Sequence, residues 1–122
     1  MIMTDTSFAT MTIGEIDALT EAEGDAMPFG IVGMDAGTVV EVYNATEAQL
    51  SGLDASRVIG TRFFDVIGQC MNNFMVAQRF EDEPELDDII HYVLTLRMRP
   101  TKVRLRLLAT PDVARRYLLI ER

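Results

Sequence analysis

With 122 residues, 48% of them hydrophobic, the chain has the size of one domain and enough apolar mass to bury a core. Its formal charge of -8 repels phosphate backbones and anionic membrane surfaces, so neither nucleic acid nor membrane is an expected partner. One cysteine and one histidine exclude an internal disulfide and a protein-only zinc site of the paired Cys or His kind, and no metal is expected.

Residues 1–9 lack the basic and apolar regions of a signal peptide, and no stretch approaches the roughly 20 apolar residues of a membrane span, so a cytoplasmic location is expected. Thr12 followed by Glu15 fits a capping box ahead of Ile16 and Leu19, which predicts a short N-terminal helix ending before Gly24 and packing across a sheet. The apolar runs 29–34 and 39–43, separated by the turn-prone Asp35-Ala36-Gly37, predict a β-hairpin. Asn44 is the expected N-cap of a helix that Gly52 stops, and Asp54 caps a further short turn before Val58-Ile59-Gly60.

After the brief apolar stretch 63–67, residues 70–80 are predicted as a helix with Phe74, Ala77 and Phe80 facing inward and Cys70 at its start. The segment 81–88 has six carboxylates in eight positions and reads as a solvated connection; it lacks the glycine-containing spacing of an EF-hand. The period then switches to two. Ile90, Tyr92, Leu94, Leu96 and Met98 share one face and His91, Val93, Thr95 and Arg97 the other; Val103, Leu105 and Leu107 alternate with Lys102, Arg104 and Arg106; residues 117–120 supply a last strand.

Two strands, several short helices and three strands predict an α+β fold: a five-stranded antiparallel sheet with short helices on one face and an N-terminal helical segment. That is the layout of PAS domains, whose cavity lies between the inner face of the sheet and the short central helices. No repeat or linker divides the chain, and the expected organisation is a helical cap over 1–27 on a PAS-like unit over 28–122.

Within this layout the residues Pro28-Phe29-Gly30, Tyr43-Asn44-Ala45, Glu47, Gly52, Val58-Ile59-Gly60, Phe63-Phe64, Cys70, Phe80, Met98 and Pro100-Thr101-Lys102-Val103 resemble the photoactive yellow protein family, over about three quarters of the chain. The resemblance implies a blue-light photoreceptor, not an enzyme, that holds 4-hydroxycinnamic (p-coumaric) acid as a thioester on Cys70. It makes Tyr43 and Glu47 hydrogen-bond donors to the chromophore's phenolate, and Ser51, where the family usually has threonine, a supporting partner of Tyr43. It puts Phe63, Leu94 and Met98 on the pocket wall. A carboxyl group in an apolar cavity holds its proton more firmly, so Glu47 is expected to be a stored proton whose transfer to the phenolate leaves a charge in a dry site and drives local unfolding. The attachment asks only for an accessible thiol, favoured at a helix N-terminus.

Leu53 stands where the family has a pocket-shielding arginine and leaves an apolar lid. Gln69 and Met71 replace the usual proline and threonine around the cysteine, and the acidic connection is about three residues short. Taken alone, Cys70 is a small buried hydrophobe, Tyr43 a core aromatic and Glu47 a solvated helix residue. The alternatives are a chromophore-free PAS interaction module, a heme sensor using His91, and an enzyme pairing Cys70 with His91; strand phase points His91 away from the cavity in the last two. The partners expected are the small-molecule chromophore and a downstream signalling protein of unknown identity, with the chain a monomer or weak homodimer.

Overall fold

The computed structural model describes residues 7–95 and 99–122. Three short helices come first: α1 (Ser7–Thr10), α2 (Ile13–Asp17) and α3 (Glu21–Asp25). Thr12 and Glu15 form the expected capping box at α2, and Thr20 and Glu23 form a second one at α3. The single predicted helix is thus two, because each Thr-x-x-Glu unit satisfies its own pair of orphan amides.

Strands β1 (Gly30–Met34) and β2 (Val40–Tyr43) make the predicted hairpin. Its turn is held by Asp35, whose Oδ1 accepts from the backbone N–H of Gly37 and Val39 at 2.8 and 3.0 Å; the residue with positive φ is Thr38, at 63°, not the glycine. Helix α4 (Ala45–Ser51) starts at Asn44 and ends at Gly52, whose φ of 76° is the left-handed conformation a helix stop requires. α5 (Ala55–Val58) follows, then a π-helical turn over Phe63–Ile67, a 3-10 turn over Gln69–Met71 and α6 (Ala77–Asp82).

The helix predicted over 70–80 is therefore cut to its last third. Asn73 is the reason: its Oδ1 accepts from the N–H of Met75 and Val76, a local turn that competes with helix continuation. Phe74, expected inward, lies on that turn and is 79% exposed, whereas Ala77 and Phe80 are buried as expected.

Strands β3 (Leu86–Leu94), β4 (Thr101–Thr110) and β5 (Val113–Glu121) complete one antiparallel sheet in the order β2-β1-β5-β4-β3. The acidic segment is only partly a connection, since β3 already begins at Leu86. Leu94 is buried, Ile90 and Tyr92 are half-buried, and His91 and Val93 are exposed, matching the predicted phase; Leu96 and Met98 lie outside the described residues.

Both sheet faces are covered. The inner face, with Val32, Leu105, Leu107, Leu118 and Ile120, packs on Val58, Phe63, Phe64, Met71, Val76 and Phe80. On the outer face Phe29, Ile31, Leu108, Tyr117 and Leu119 close over Phe8 and Ile16 of the N-terminal helices. Arg106, expected on a solvated side, is instead 3% exposed. It donates two bonds to Asp87 and one each to the carbonyls of Phe8 and Met11, so the N-terminal segment is tied to the sheet through a buried cation that makes four hydrogen bonds.

Candidate functional site: buried polar groups on the inner face

Asn44 organises the site. Its Oδ1 caps α4 by accepting from Glu47 N–H at 3.1 Å and also accepts from Ile31 N–H at 2.9 Å, while Nδ2 donates to the carbonyls of Gly24 and Phe29. One buried amide thus locks the end of β2, the start of β1 and the first turn of α4 together. Tyr43 precedes this cap and Glu47 and Ser51 follow one and two turns later, so all three lie on the side of α4 that meets the sheet and all are buried.

Tyr43 Oη and Ser51 Oγ are hydrogen-bonded at 2.8 Å, and Ser51 Oγ also accepts from Leu53 N–H at 3.2 Å. Burial pushes the Tyr43 phenol up to about 12, a shift the Ser51 bond opposes and the nearby Glu47 charge reinforces. Leu53 is half-buried and packs against the inner core.

Glu47 is 2% exposed, and its two oxygens accept from the two terminal nitrogens of Arg122 at 2.7 and 3.1 Å. Burial pushes its pKa above the ordinary carboxylate value, and the Arg122 bonds and charge pull it back down. The expectation of a lone acid beside Tyr43 is therefore met by a different arrangement: burial is present, but the carboxylate is bidentately paired. Gly30 makes the fit possible, because a Cβ there would collide with Glu47 Oε1.

Cys70 sits in the middle of the 3-10 turn, not at the start of a helix, and so has no helix N-terminus behind its thiol. It is half-buried against the inner core cluster that contains Tyr43, Phe63 and Leu94. Its carbonyl accepts from Tyr92 Oη at 2.6 Å and from Asn73 Nδ2 at 3.3 Å, and Asn73 Nδ2 also bonds Tyr92 Oη at 2.7 Å. Phe63 packs edge-on to Phe64, with ring centroids 5.2 Å apart, and fills the space beside Gly68. Leu94, Ser51 and Arg122 border a cleft of about 450 Å³ with Arg99 and Thr101, which opens beside the Glu47 pair.

Arg122, Tyr92 and Asn73 were not among the residues singled out from sequence as site groups. Two of them carried a signal. Extending the period-two face of Leu118 and Ile120 by one step puts Arg122 on the inner side, and the inward phase of Tyr92 leaves a hydroxyl that must find a partner.

The antiparallel five-stranded sheet, the short helices across its inner face and the buried polar groups between them define a PAS domain of the sensory kind. The photoactive yellow protein of Rhodothalassium salexigens is 31% identical over 90 residues, which span 71% of this chain and 72% of that protein. The chain belongs to the photoactive yellow protein family, and its role is that of a photoreceptor-type sensory domain.

Among solved structures, the photoactive yellow protein domain of the sensor histidine kinase Ppr from Rhodospirillum centenum superposes with a TM-score of 0.82 at 33% identity, covering 89% of this chain and 98% of that one. The PAS domain of an HTR-like protein from Haloarcula marismortui, 19% identical, shares the fold with a TM-score of 0.65 over 90% of this chain and 98% of that one. No family model matches the sequence. Among the described residues no helix is long and apolar enough to cross a membrane.

Proposed function

We propose that this domain is a blue-light photoreceptor that carries 4-hydroxycinnamic acid as a thioester on Cys70. The observation that carries the reading is the gathering of the chain's only thiol, the buried Tyr43–Ser51 hydroxyl pair and the buried Glu47 carboxyl around one apolar core. The donor chemistry suits such a ligand: an acyl group needs a thiol at a pocket wall, and a phenolate needs hydroxyl or carboxyl donors in a dry site. When bound, the group supplies visible-light absorption and isomerisation, which no side chain of this protein offers.

Each residue then has a part. Cys70 is the attachment point, and the clamp of Tyr92 and Asn73 on its carbonyl fixes where its sulfur stands. Tyr43 presents a phenolic proton that burial keeps in place far above neutral pH, with Ser51 orienting the hydroxyl. Glu47, once neutral, is the second donor and the store of a transferable proton; leaving it ionised in this dry position costs several kcal/mol unless a cation stays with it. Phe63 and Leu94 exclude water, and Leu53, half-buried where a shielding cation is absent, covers the site with apolar surface. Met98, which the resemblance also implies for the pocket, lies outside the described residues. Residues 1–27 act as a cap on a PAS unit spanning 28–122, and the signal passes to a partner protein in the cytoplasm.

The test is reconstitution of the purified protein with an activated ester or anhydride of 4-hydroxycinnamic acid. The expected result is an intact mass increased by one acyl group and a blue-region absorption band that bleaches under illumination, both lost in Cys70→Ala. An unchanged intact mass in the wild type overturns the reading.

A further inference from the structure

The geometry points to Arg122 as the positioning residue of Glu47: from the end of β5 its guanidinium grips both carboxylate oxygens, so that Glu47 becomes a donor only when Arg122 lets go. The inference rests on the reading of Glu47 as a ligand-binding group and adds to it the residue that decides when Glu47 is available.

Three features build the pair. The β1–β5 register sets Gly30 opposite Ile120, which brings the end of β5 beside the first turn of α4. Alternation then carries Leu118, Ile120 and Arg122 on the inner side. Gly30 lets the carboxylate lie against the strand where any side chain would collide with it.

The pairing commits the carboxyl chemically. With both oxygens accepting from Arg122 at 2.7 and 3.1 Å, the ionised form fits and the neutral acid does not, since its O–H would face a guanidinium that has no acceptor. Burial is unequal: the Glu47 side chain is 2% exposed and that of Arg122 15%, on a cleft shared with Arg99 and Thr101. Arg122 can therefore swing toward water, whereas Glu47 cannot hydrate itself in place. Departure of Arg122 and uptake of a solvent proton by Glu47 are coupled for that reason.

Among the described residues no other cation pairs with Glu47, although Arg99 lines the same cleft. From β2 the group facing Glu47 is the Tyr43 phenol, neutral below alkaline pH; β1 offers Gly30 without a side chain; and Asp25 of α3 is engaged with the N–H of Ala45. A bound phenolate and Arg122 are thus competitors for one carboxyl group.

The experiment follows the Glu47 side-chain carboxyl by carbon-13 NMR against pH in the unloaded wild type, Arg122→Met, Arg122→Gln and Arg122→Lys. The titration midpoint is expected about 1 to 3 pH units higher in the Met and Gln variants than in the wild type, with Lys restoring part of the difference. A midpoint that coincides in the wild type and in either neutral variant overturns the proposal; the Gln variant carries the test if the Met variant does not fold. After loading with 4-hydroxycinnamate, the wild-type carboxyl at neutral pH is expected at the shift of the protonated acid, and a signal that stays ionised also overturns it. Failure of the acyl mass increase sinks the ligand reading separately, because the unloaded titration is measured without it.

Discussion

Two arginine–carboxylate pairs hold this molecule together on opposite faces of the sheet, and they are buried the opposite way round. On the outer face the cation is inside: the Arg106 side chain is 4% exposed and its partner Asp87 62%. On the inner face the carboxylate is inside: the Glu47 side chain is 2% exposed and its partner Arg122 15%. A guanidinium stays charged at every pH the protein meets, so Arg106 is satisfied once, by Asp87 and by the carbonyls of Phe8 and Met11, and the N-terminal helices stay fixed to the sheet. A carboxyl group can lose its charge. Burying the member that titrates makes the inner pair convertible, and burying the member that does not makes the outer pair a fastening.

The comparison breaks most readily at Arg122. Arg122→Met leaves Glu47 buried and unpaired, and the expected loss is about 3 kcal/mol of unfolding free energy at neutral pH by denaturant titration. Because Glu47 in the folded state holds its proton more firmly than in the unfolded chain, its favourable contribution is present below the unfolded value near 4.5 and is lost as pH rises through the folded one. The deficit of the variant should therefore shrink on acidification toward that value and widen above it.

Asp87→Ala strands the opposite member. The expected loss is about 2 kcal/mol, since two charge-assisted bonds to Arg106 go while its two carbonyl acceptors remain. A guanidinium keeps its charge over this whole range, so this deficit should stay flat from mildly acidic to neutral pH. A Glu47-like pH course for Asp87→Ala, or a flat one for Arg122→Met, would erase the distinction between the two faces.

The smallest effect is expected at Tyr43. Tyr43→Phe removes the bond to Ser51 and should cost about 1 kcal/mol at neutral pH. Since burial raises the phenol to about 12, its stabilisation is complete below the unfolded value near 10 and is lost as pH rises through the folded one. The variant should lose less stability than the wild type over that alkaline interval; buried Tyr117, raised in the same direction, accounts for alkaline loss that persists.

Much of the fold was legible because it is written locally. Thr12 and Glu15, Asn44 and Gly52, and the period-two runs of β3, β4 and β5 each specify a cap, a stop or a face within a few residues. The local reading failed where a polar side chain competed with the backbone: Asn73 spends its carbonyl oxygen on two amides, and the helix expected to carry Phe74 inward does not form there. The site was legible as a set of residue types but not as a set of partners. Tyr43 and Ser51 are eight positions apart and meet as expected, whereas Glu47 and Arg122 are 75 apart.

What the sequence by itself determined, outside Phe74 on the Asn73 turn and the buried Arg106, was which side chains turn toward the core, since alternation and capping act over one to four residues and need no knowledge of the rest of the chain. Only the tertiary structure decided that β5 lies between β1 and β4, and with it that Arg122 reaches Glu47 and that Arg106 reaches the carbonyls of Phe8 and Met11. The physical reason is that periodicity encodes a face, while the charge state of a buried group depends on which strand end arrives beside it.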